Sequence, residues 1–153
     1  MRCLGIDFGT VRIGLSYGDE LGVAVPIAAA TAADVAGRLS QIGDEIRRRR
    51  IERLVVGYPL NMDGSAGFKA REVDGFIARL TKEFGLPIDR IDERLSSYAA
   101  DASAAPRSKR GARNKQALLR ERRSGERDSR AAAVILQDYL DQRSSPVEAD
   151  FPQ

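Results

Sequence analysis

Residues 1–16 read MRCLGIDFGTVRIGLS and predict a strand, a tight turn and a second strand. Leu4, Ile6 and Phe8 alternate with smaller or polar residues, a pattern that predicts a strand with these three side chains on one face. Asp7 lies on the opposite face, near the end of the strand. The residues after Phe8 predict a short turn, and a second, antiparallel strand then begins near Ile13.

Asp7 has two interpretations. A carboxylate in so apolar a strand is costly to bury unless a cation or hydrogen-bond donors compensate it. The first interpretation is that Asp7 binds a metal ion around which a functional site is built. The second is that its side chain only accepts hydrogen bonds from the turn that follows.

The composition narrows the possible chemistry. Histidine is absent from the 153 residues, and Cys3 is the only cysteine. Catalysis by Ser-His-Asp or Cys-His groups, the usual zinc sites and an internal disulfide are therefore excluded. A metal would be Mg²⁺ or Mn²⁺, held by oxygen ligands. Because no apolar run approaches the ~20 residues of a membrane span, the sequence predicts a cytoplasmic protein without a membrane segment.

The charge is distributed unevenly along the chain. The net charge is only +3, but residues 103–127 contain nine basic residues and two acidic ones. Such an asymmetry predicts a polyanionic partner. Because no aromatic residue is interleaved, the segment is expected to contact phosphates without stacking on bases. Its polar composition favours a loop that is helical around residues 116–122.

The remaining elements follow from periodicity and from helix-ending residues. A third strand is predicted at 23–25, ended by Pro26, and a helix capped by Thr31 or Asp34 continues to about Arg50 with Arg47–Arg50 as a solvated last turn. Further elements are predicted as a strand at 54–56, a helix at 65–84, a strand at 88–91, a short helix capped by Ser96 or Ser97, and a helix at 128–142. This order predicts an α/β fold with a mixed five-stranded sheet flanked by helices, in one domain of residues 1–142 followed by a flexible tail, 143–153.

Three acids are expected to converge. Asp7 ends the first strand, Glu93 follows the fifth, and Asp128 opens the last helix on the face that packs on the sheet. Glu93 could instead be a surface acid, and Asp128 only a charge that suits the helix dipole. Together the three acids favour cleavage of phosphodiester bonds by two Mg²⁺ ions about 4 Å apart.

Four motifs carry a resemblance to a known family. Residues 5–14, 55–65, 92–97 and 128–137 resemble the motifs of the bacterial YqgF/RuvX proteins, in order and spacing. The resemblance implies a ribonuclease H-like fold, a relation to Holliday junction resolvases, and a nuclease that matures the 5′ end of pre-16S rRNA. It also implies that Asp7, Glu93 and Asp128 are the catalytic residues and metal ligands. The family usually reaches its last Asp through a Lys-containing stretch, whereas residues 122–127 here are rich in Arg.

The nucleic-acid contacts and the competing functions complete the expectations. The residues predicted to contact nucleic acid are Thr10, Arg12, Asn61, Arg94, Lys109, Arg110, Arg122, Arg123 and Arg127. The substrate is expected to be precursor rRNA, bound by a monomer or a weak homodimer. The alternatives are a resolvase of branched DNA, which would require a two-fold dimer, a non-catalytic RNA-binding module, and an actin-like kinase whose phosphate loop would be residues 7–10.

Overall fold

A computed structural model describes residues 1–61, 63–93 and 114–143, with side chains in the last range from Glu126 onwards. The chain order of the elements in these ranges is β1 (Cys3–Asp7), β2 (Ile13–Gly18), β3 (Val25–Ala30), α1 (Val35–Arg49), β4 (Arg53–Tyr58), α2 (Phe68–Phe84), β5 (Ile88–Asp92) and α3 (Asn114–Arg143). Within the described ranges, no helix combines the length and the apolar character that a membrane span requires.

The five strands form one mixed sheet in the order β3-β2-β1-β4-β5. The pairs β1–β2 and β2–β3 are antiparallel, whereas β1–β4 and β4–β5 are parallel. The predicted mixed five-stranded sheet is therefore confirmed. Because β1, β4 and β5 are parallel, their C-terminal ends lie at the same edge of the sheet.

Each face of the sheet packs on different helices. Leu4 and Ile6 belong to a core with residues of α1 and α2, and Phe8 adds a ring contact to Phe76 at 4.5 Å between centroids. Cys3 and Val55 belong to the core on the other face, under α3. The alternation predicted for β1 is thus confirmed, and Asp7 lies on the side of α3 by the same alternation.

The third strand is longer than the sequence predicts. It spans Val25–Ala30, so it begins two residues later than predicted, and the prediction that Pro26 ends it is wrong. The physical reason is that β3 lies at the edge of the sheet. Proline has no N–H group, and on an edge strand this group can face solvent, where no neighbouring strand needs it. Pro26 lies opposite Ser16 of β2.

The first helix begins as predicted. The Asp34 carboxylate accepts a hydrogen bond from the Gly37 N–H at 2.8 Å and caps α1. Leu39 and Ile42 are buried, whereas Val35 is 41% exposed. The arginines near its end pair with acids of the same helix, Arg47 with Asp44 at 2.6 Å and both Arg48 and Arg49 with Glu45. These pairs support the interpretation of this run as a surface helix end.

The last helix differs most from its prediction. It begins at Asn114, so residues 114–127 are helical and Asp128 lies well inside the helix. Residues 116–123 are dominated by strong helix formers, and Gly125 costs only ~1 kcal/mol within a long helix. The prediction of a loop is therefore wrong for 114–127, apart from the helical part around 116–122. The short helix after Glu93, residues 103–113 of the basic segment and the tail 144–153 lie outside the described residues.

Candidate active site

Two glycines flank Asp7 on the sheet. Asp7 pairs with Gly14 of β2, and the register that pairs Ile6 with Val56 places Gly57 of β4 beside it. A Cβ atom on Gly57 would overlap Oε2 of Glu93, and one on Gly14 would overlap the main-chain carbonyl of Asp128. The missing side chains therefore make the space through which Glu93 and α3 approach Asp7.

Asp7 and Glu93 lie together at the C-terminal edge of the parallel strands. Burial, together with the negative charges of Glu93 and Asp128, raises the pKa of Asp7 to about 7. Burial also raises the pKa of Glu93. The two carboxyl groups share a hydrogen bond, in which protonated Asp7 donates to Glu93. Two half-buried acids this close favour a shared proton or a bound cation.

Asp128 reaches the same edge from α3. Its Oδ2 accepts a hydrogen bond from Nε of Arg12 at 2.9 Å. The helix is held on β2 by two further contacts, from the Leu15 N–H to the Ser129 hydroxyl at 3.4 Å and from the Ser16 hydroxyl to the Ala132 carbonyl at 2.8 Å. Because Asp128 is internal to α3, the interpretation that it only complements a helix N-terminus is wrong.

The donor atoms suit a hard divalent cation. Carboxylate oxygens are the ligands that Mg²⁺ prefers, and it often takes only one or two of them, with the remaining positions left to water and phosphate. Asp7 and Glu93 fit this requirement, because a cation would offset both the burial and the repulsion that raise the pKa of Asp7. In the described part of the chain, however, no three side chains among His, Cys, Asp and Glu are grouped to hold a metal ion. Asp128 is paired with Arg12 instead.

Three of the residues predicted to contact nucleic acid lie near these acids. Arg12 pairs with Asp128, and the carbonyl of the neighbouring Thr10 accepts a hydrogen bond from Arg38 at 3.3 Å. Arg127 is exposed on α3, immediately before Asp128. These three positions therefore lie beside the C-terminal edge of the parallel strands, where Asp7 and Glu93 meet.

The other predicted contacts divide into three groups. The side-chain amide of Asn61 donates to the Ser65 hydroxyl at 3.1 Å and closes the exposed loop after β4. Arg122 and Arg123 belong to α3, but they precede Glu126, so their side chains are not among those described. Arg94, Lys109 and Arg110 lie outside the described residues.

The sequence interpretation missed two cations. Lys69, exposed in the first turn of α2, is the positive charge that opposes the raised pKa values of Asp7 and Glu93. Its signal was available, because α2 follows the loop that leaves the C-terminal end of β4. Arg38 is only 7% exposed and donates to the carbonyls of Ala32 and Thr10. Nothing in its local sequence distinguishes it from a solvated helix residue.

Comparison with known proteins identifies the family. A family model described as "RuvX: Holliday junction resolvase" matches residues 1–142. The chain belongs to the RuvX family. Membership identifies it as a nuclease and sets aside the actin-like kinase interpretation.

Relatives of this RuvX protein cover nearly its whole length. It is 51% identical over 147 residues to a protein of Opitutus terrae, with 95% of each chain covered. It is 45% identical to a protein of Anaeromyxobacter sp. strain K, with 94% of this chain and 99% of the relative covered, and 36% identical to one of Synechococcus elongatus, with 94% and 91% covered. All three carry the provisional name pre-16S rRNA nuclease.

Two solved structures share the fold of this RuvX protein. RuvC of Thermus thermophilus has a TM-score of 0.50 at 17% identity, over 95% of this chain and 97% of that one. The fowlpox virus resolvase in complex with Holliday junction DNA has a TM-score of 0.54 at 9% identity, over 94% and 99%. At these identities the likeness shows the fold alone, which is the expected ribonuclease H-like α/β fold.

Proposed function

We propose that this RuvX protein hydrolyses phosphodiester bonds of precursor 16S rRNA during maturation of its 5′ end, with Asp7, Glu93 and Asp128 as ligands of Mg²⁺ or Mn²⁺. The observation that carries the proposal is the Asp7–Glu93 pair at the edge of the parallel strands, where burial and neighbouring acids raise the pKa of Asp7 to about 7. Such a perturbed acid pair in a crevice is typical of a functional site.

The residues around the pair have distinct proposed roles. Asp7 and Glu93 would hold the cation, which supplies an activated water at neutral pH and stabilises the charge on the phosphate. Lys69 reduces the repulsion between the two acids without reaching into the core. Arg127 would bind a backbone phosphate next to the scissile one, because it is exposed immediately before Asp128. No histidine is available as a general base.

RNA is the proposed substrate because of the relatives. Proteins with identities of 36–51% carry the name of a pre-16S rRNA nuclease, and a role in ribosome biogenesis in the cytoplasm follows from that substrate. Branched DNA is the second candidate, favoured by the description of the family model. It would require two copies of the chain arranged with two-fold symmetry, whereas we propose a monomer or a weak homodimer.

Cleavage of two matched substrates tests the proposal. Purified protein is incubated with an end-labelled precursor 16S rRNA fragment and with a synthetic four-way DNA junction, each in Mg²⁺ or in excess chelator. We expect a discrete cut near the mature 5′ end of the RNA, dependent on Mg²⁺, and little cleavage of the junction. Undiminished cleavage in chelator would contradict the metal mechanism. Tight RNA binding without cleavage would identify a non-catalytic module, and symmetric junction cleavage by a dimer would identify a resolvase.

A further inference from the structure

Arg12 and Asp128 form an ion pair at the margin of the proposed metal site. The Nε–Oδ2 distance is 2.9 Å, and the side chains are 36% and 28% exposed. Both are thus partly shielded from water, which makes the pair stronger than a fully exposed one. The partners are 116 residues apart in the chain, so the contact depends on α3 packing across β2.

Both partners are presented from fixed backbone. The turn that carries Arg12 is tight, since a Cβ atom on Gly9 would lie 2.5 Å from the Arg12 carbonyl oxygen. Buried Arg38 braces the same turn through the Thr10 carbonyl at 3.3 Å. On the other side, the backbone of Asp128 contacts Gly14 so closely that no side chain fits between them. The side chains of Arg12 and Asp128 can therefore rotate while their backbones stay in place.

The pair engages one of the three proposed ligands. Asp128 is close enough for its charge to raise the pKa of Asp7, yet its carboxylate is directed to Arg12 and does not group with Asp7 and Glu93. A guanidinium and a divalent cation compete for the same carboxylate charge. A phosphate, in turn, competes with Asp128 for the guanidinium, because Arg binds phosphate through two parallel hydrogen bonds.

We propose that Arg12 is a positioning residue that couples substrate binding to metal binding. Arg12 holds Asp128 until a substrate phosphate takes over its guanidinium, and the released Asp128 then completes the metal site. The inference rests on the proposed function, since it takes Asp128 as a metal ligand. The opposite role would be a permanent support, in which Arg12 orients Asp128 towards the metal throughout.

The two roles predict opposite changes in metal affinity. Mn²⁺ is titrated into the protein without nucleic acid, and free Mn²⁺ is followed by electron paramagnetic resonance. Under the proposal, Arg12→Ala binds Mn²⁺ about fivefold more tightly than the natural protein, the factor that corresponds to an ion pair worth ~1 kcal/mol. A permanent support would make Arg12→Ala bind Mn²⁺ more weakly, which would overturn the proposal.

A double-mutant cycle separates competition from a general effect of charge. Removing any nearby positive charge should raise the affinity for Mn²⁺, whether or not Asp128 is involved. Arg12→Ala is therefore also introduced into the Asp128→Asn variant. Competition through Asp128 predicts no gain from Arg12→Ala in that background, whereas a gain of the same size would overturn it. Lys69→Ala serves as the matched control, because Lys69 acts on Asp7 and Glu93 and its gain should survive Asp128→Asn.

A third measurement tests the coupling itself. A nuclease-resistant phosphorothioate RNA duplex should tighten Mn²⁺ binding to the natural protein by a larger factor than to Arg12→Ala, because only the natural protein has a guanidinium to displace. Equal factors would contradict the coupling. None of these titrations needs cleavage, so a protein that cuts no RNA would refute the proposed function while the Mn²⁺ isotherms still decide the role of Arg12.

Discussion

The carboxylates at the two ends of β5 have different surroundings. Asp89, near its beginning, accepts hydrogen bonds from Nη1 of Arg53 at 2.9 Å and from the hydroxyl of Tyr139. Glu93, just past its end, faces Asp7, and burial raises the pKa values of both. The same helix, α3, contributes Tyr139 at one end and Asp128 at the other.

The difference separates a structural acid from a candidate functional one. The Asp89 carboxylate accepts hydrogen bonds from Arg53 and Tyr139, and these contacts connect β4, β5 and α3. At the other end negative charges accumulate, and the nearby cation Lys69 is exposed. Acids that are partly buried beside other acids cost stability, and a fold retains them where they bind a cation or react.

The largest expected effect comes from the same substitution at the two ends. Asp7→Asn should reduce single-turnover RNA cleavage by about 10³-fold or more, because the charge that would hold the cation is lost. RNA affinity should not fall, since a negative charge near phosphates is removed. Asp89→Asn should leave cleavage nearly unchanged and lower the free energy of unfolding by about 1–3 kcal/mol. Near-normal cleavage by Asp7→Asn would refute the assignment of the site.

Gly57→Ala should displace Glu93 from Asp7 by steric overlap, without changing any charge. The added Cβ atom would overlap Oε2 of Glu93 and lie 2.6 Å from Cδ1 of Ile135. We expect cleavage to fall about 10–100-fold and stability to fall by about 1–3 kcal/mol. Gly75→Ala in α2 is the matched control, because its Cβ position has no neighbour within 4 Å outside the adjacent residues and the nearby backbone of α2, and the helix should gain about 0.5–1 kcal/mol. Equal cleavage by both variants would show that Glu93 needs no space above Gly57.

The raised pKa of Asp7 predicts a distinctive dependence of stability on pH. Its pKa is about 7 in the folded protein against an ordinary value of 3.8. Between these values the folded chain binds a proton that the unfolded chain does not, so stability falls as pH rises and the loss is complete above about pH 7. In chelator, Asp7→Asn should therefore be more stable than the natural protein by about 2–4 kcal/mol near pH 8.

The control for this prediction is the same comparison in acid. The advantage of Asp7→Asn should vanish near about pH 4, where the natural Asp7 is protonated in the folded protein and close to its ordinary pKa in the unfolded chain. Denaturant unfolding over the pH range measures both values. If Asp7→Asn were more stable than the natural protein by the same amount at every pH, the pKa of Asp7 would not be raised in the folded protein.

The smallest effect concerns the arginines of α3. Replacing Arg122, Arg123 and Arg127 by Ala should weaken binding to all RNAs similarly, and each lost phosphate contact should reduce the slope of log affinity against log salt by about 0.7–0.9. Arg47→Ala and Arg48→Ala are the matched controls, because these arginines already pair with acids of α1. An unchanged slope would show that this part of α3 does not contact the RNA backbone.

Local patterns in the sequence were sufficient for much of the fold. Alternation in residues 4–8 determined which side chains of β1 share a face, because a strand has a two-residue repeat. Asp34 and Gly85 determined where α1 begins and α2 ends, since a side-chain cap and a left-handed glycine act within one helical turn. The positions of Asp7 and Glu93 at strand ends predicted that they meet, because parallel strands end at one sheet edge.

The remaining features of the fold and the site depend on neighbours that are distant in sequence. Pro26 is tolerated because β3 lies at an edge, and the local sequence does not reveal the strand order. Gly14 and Gly57 matter because Asp128 and Glu93 pass over them. The Arg12–Asp128 pair joins residues 116 apart, and the charge of Lys69 acts on the acids from another helix. A sequence specifies which groups are charged or apolar, but their mutual distances, and hence the pKa of Asp7, follow only from how the helices pack on the sheet.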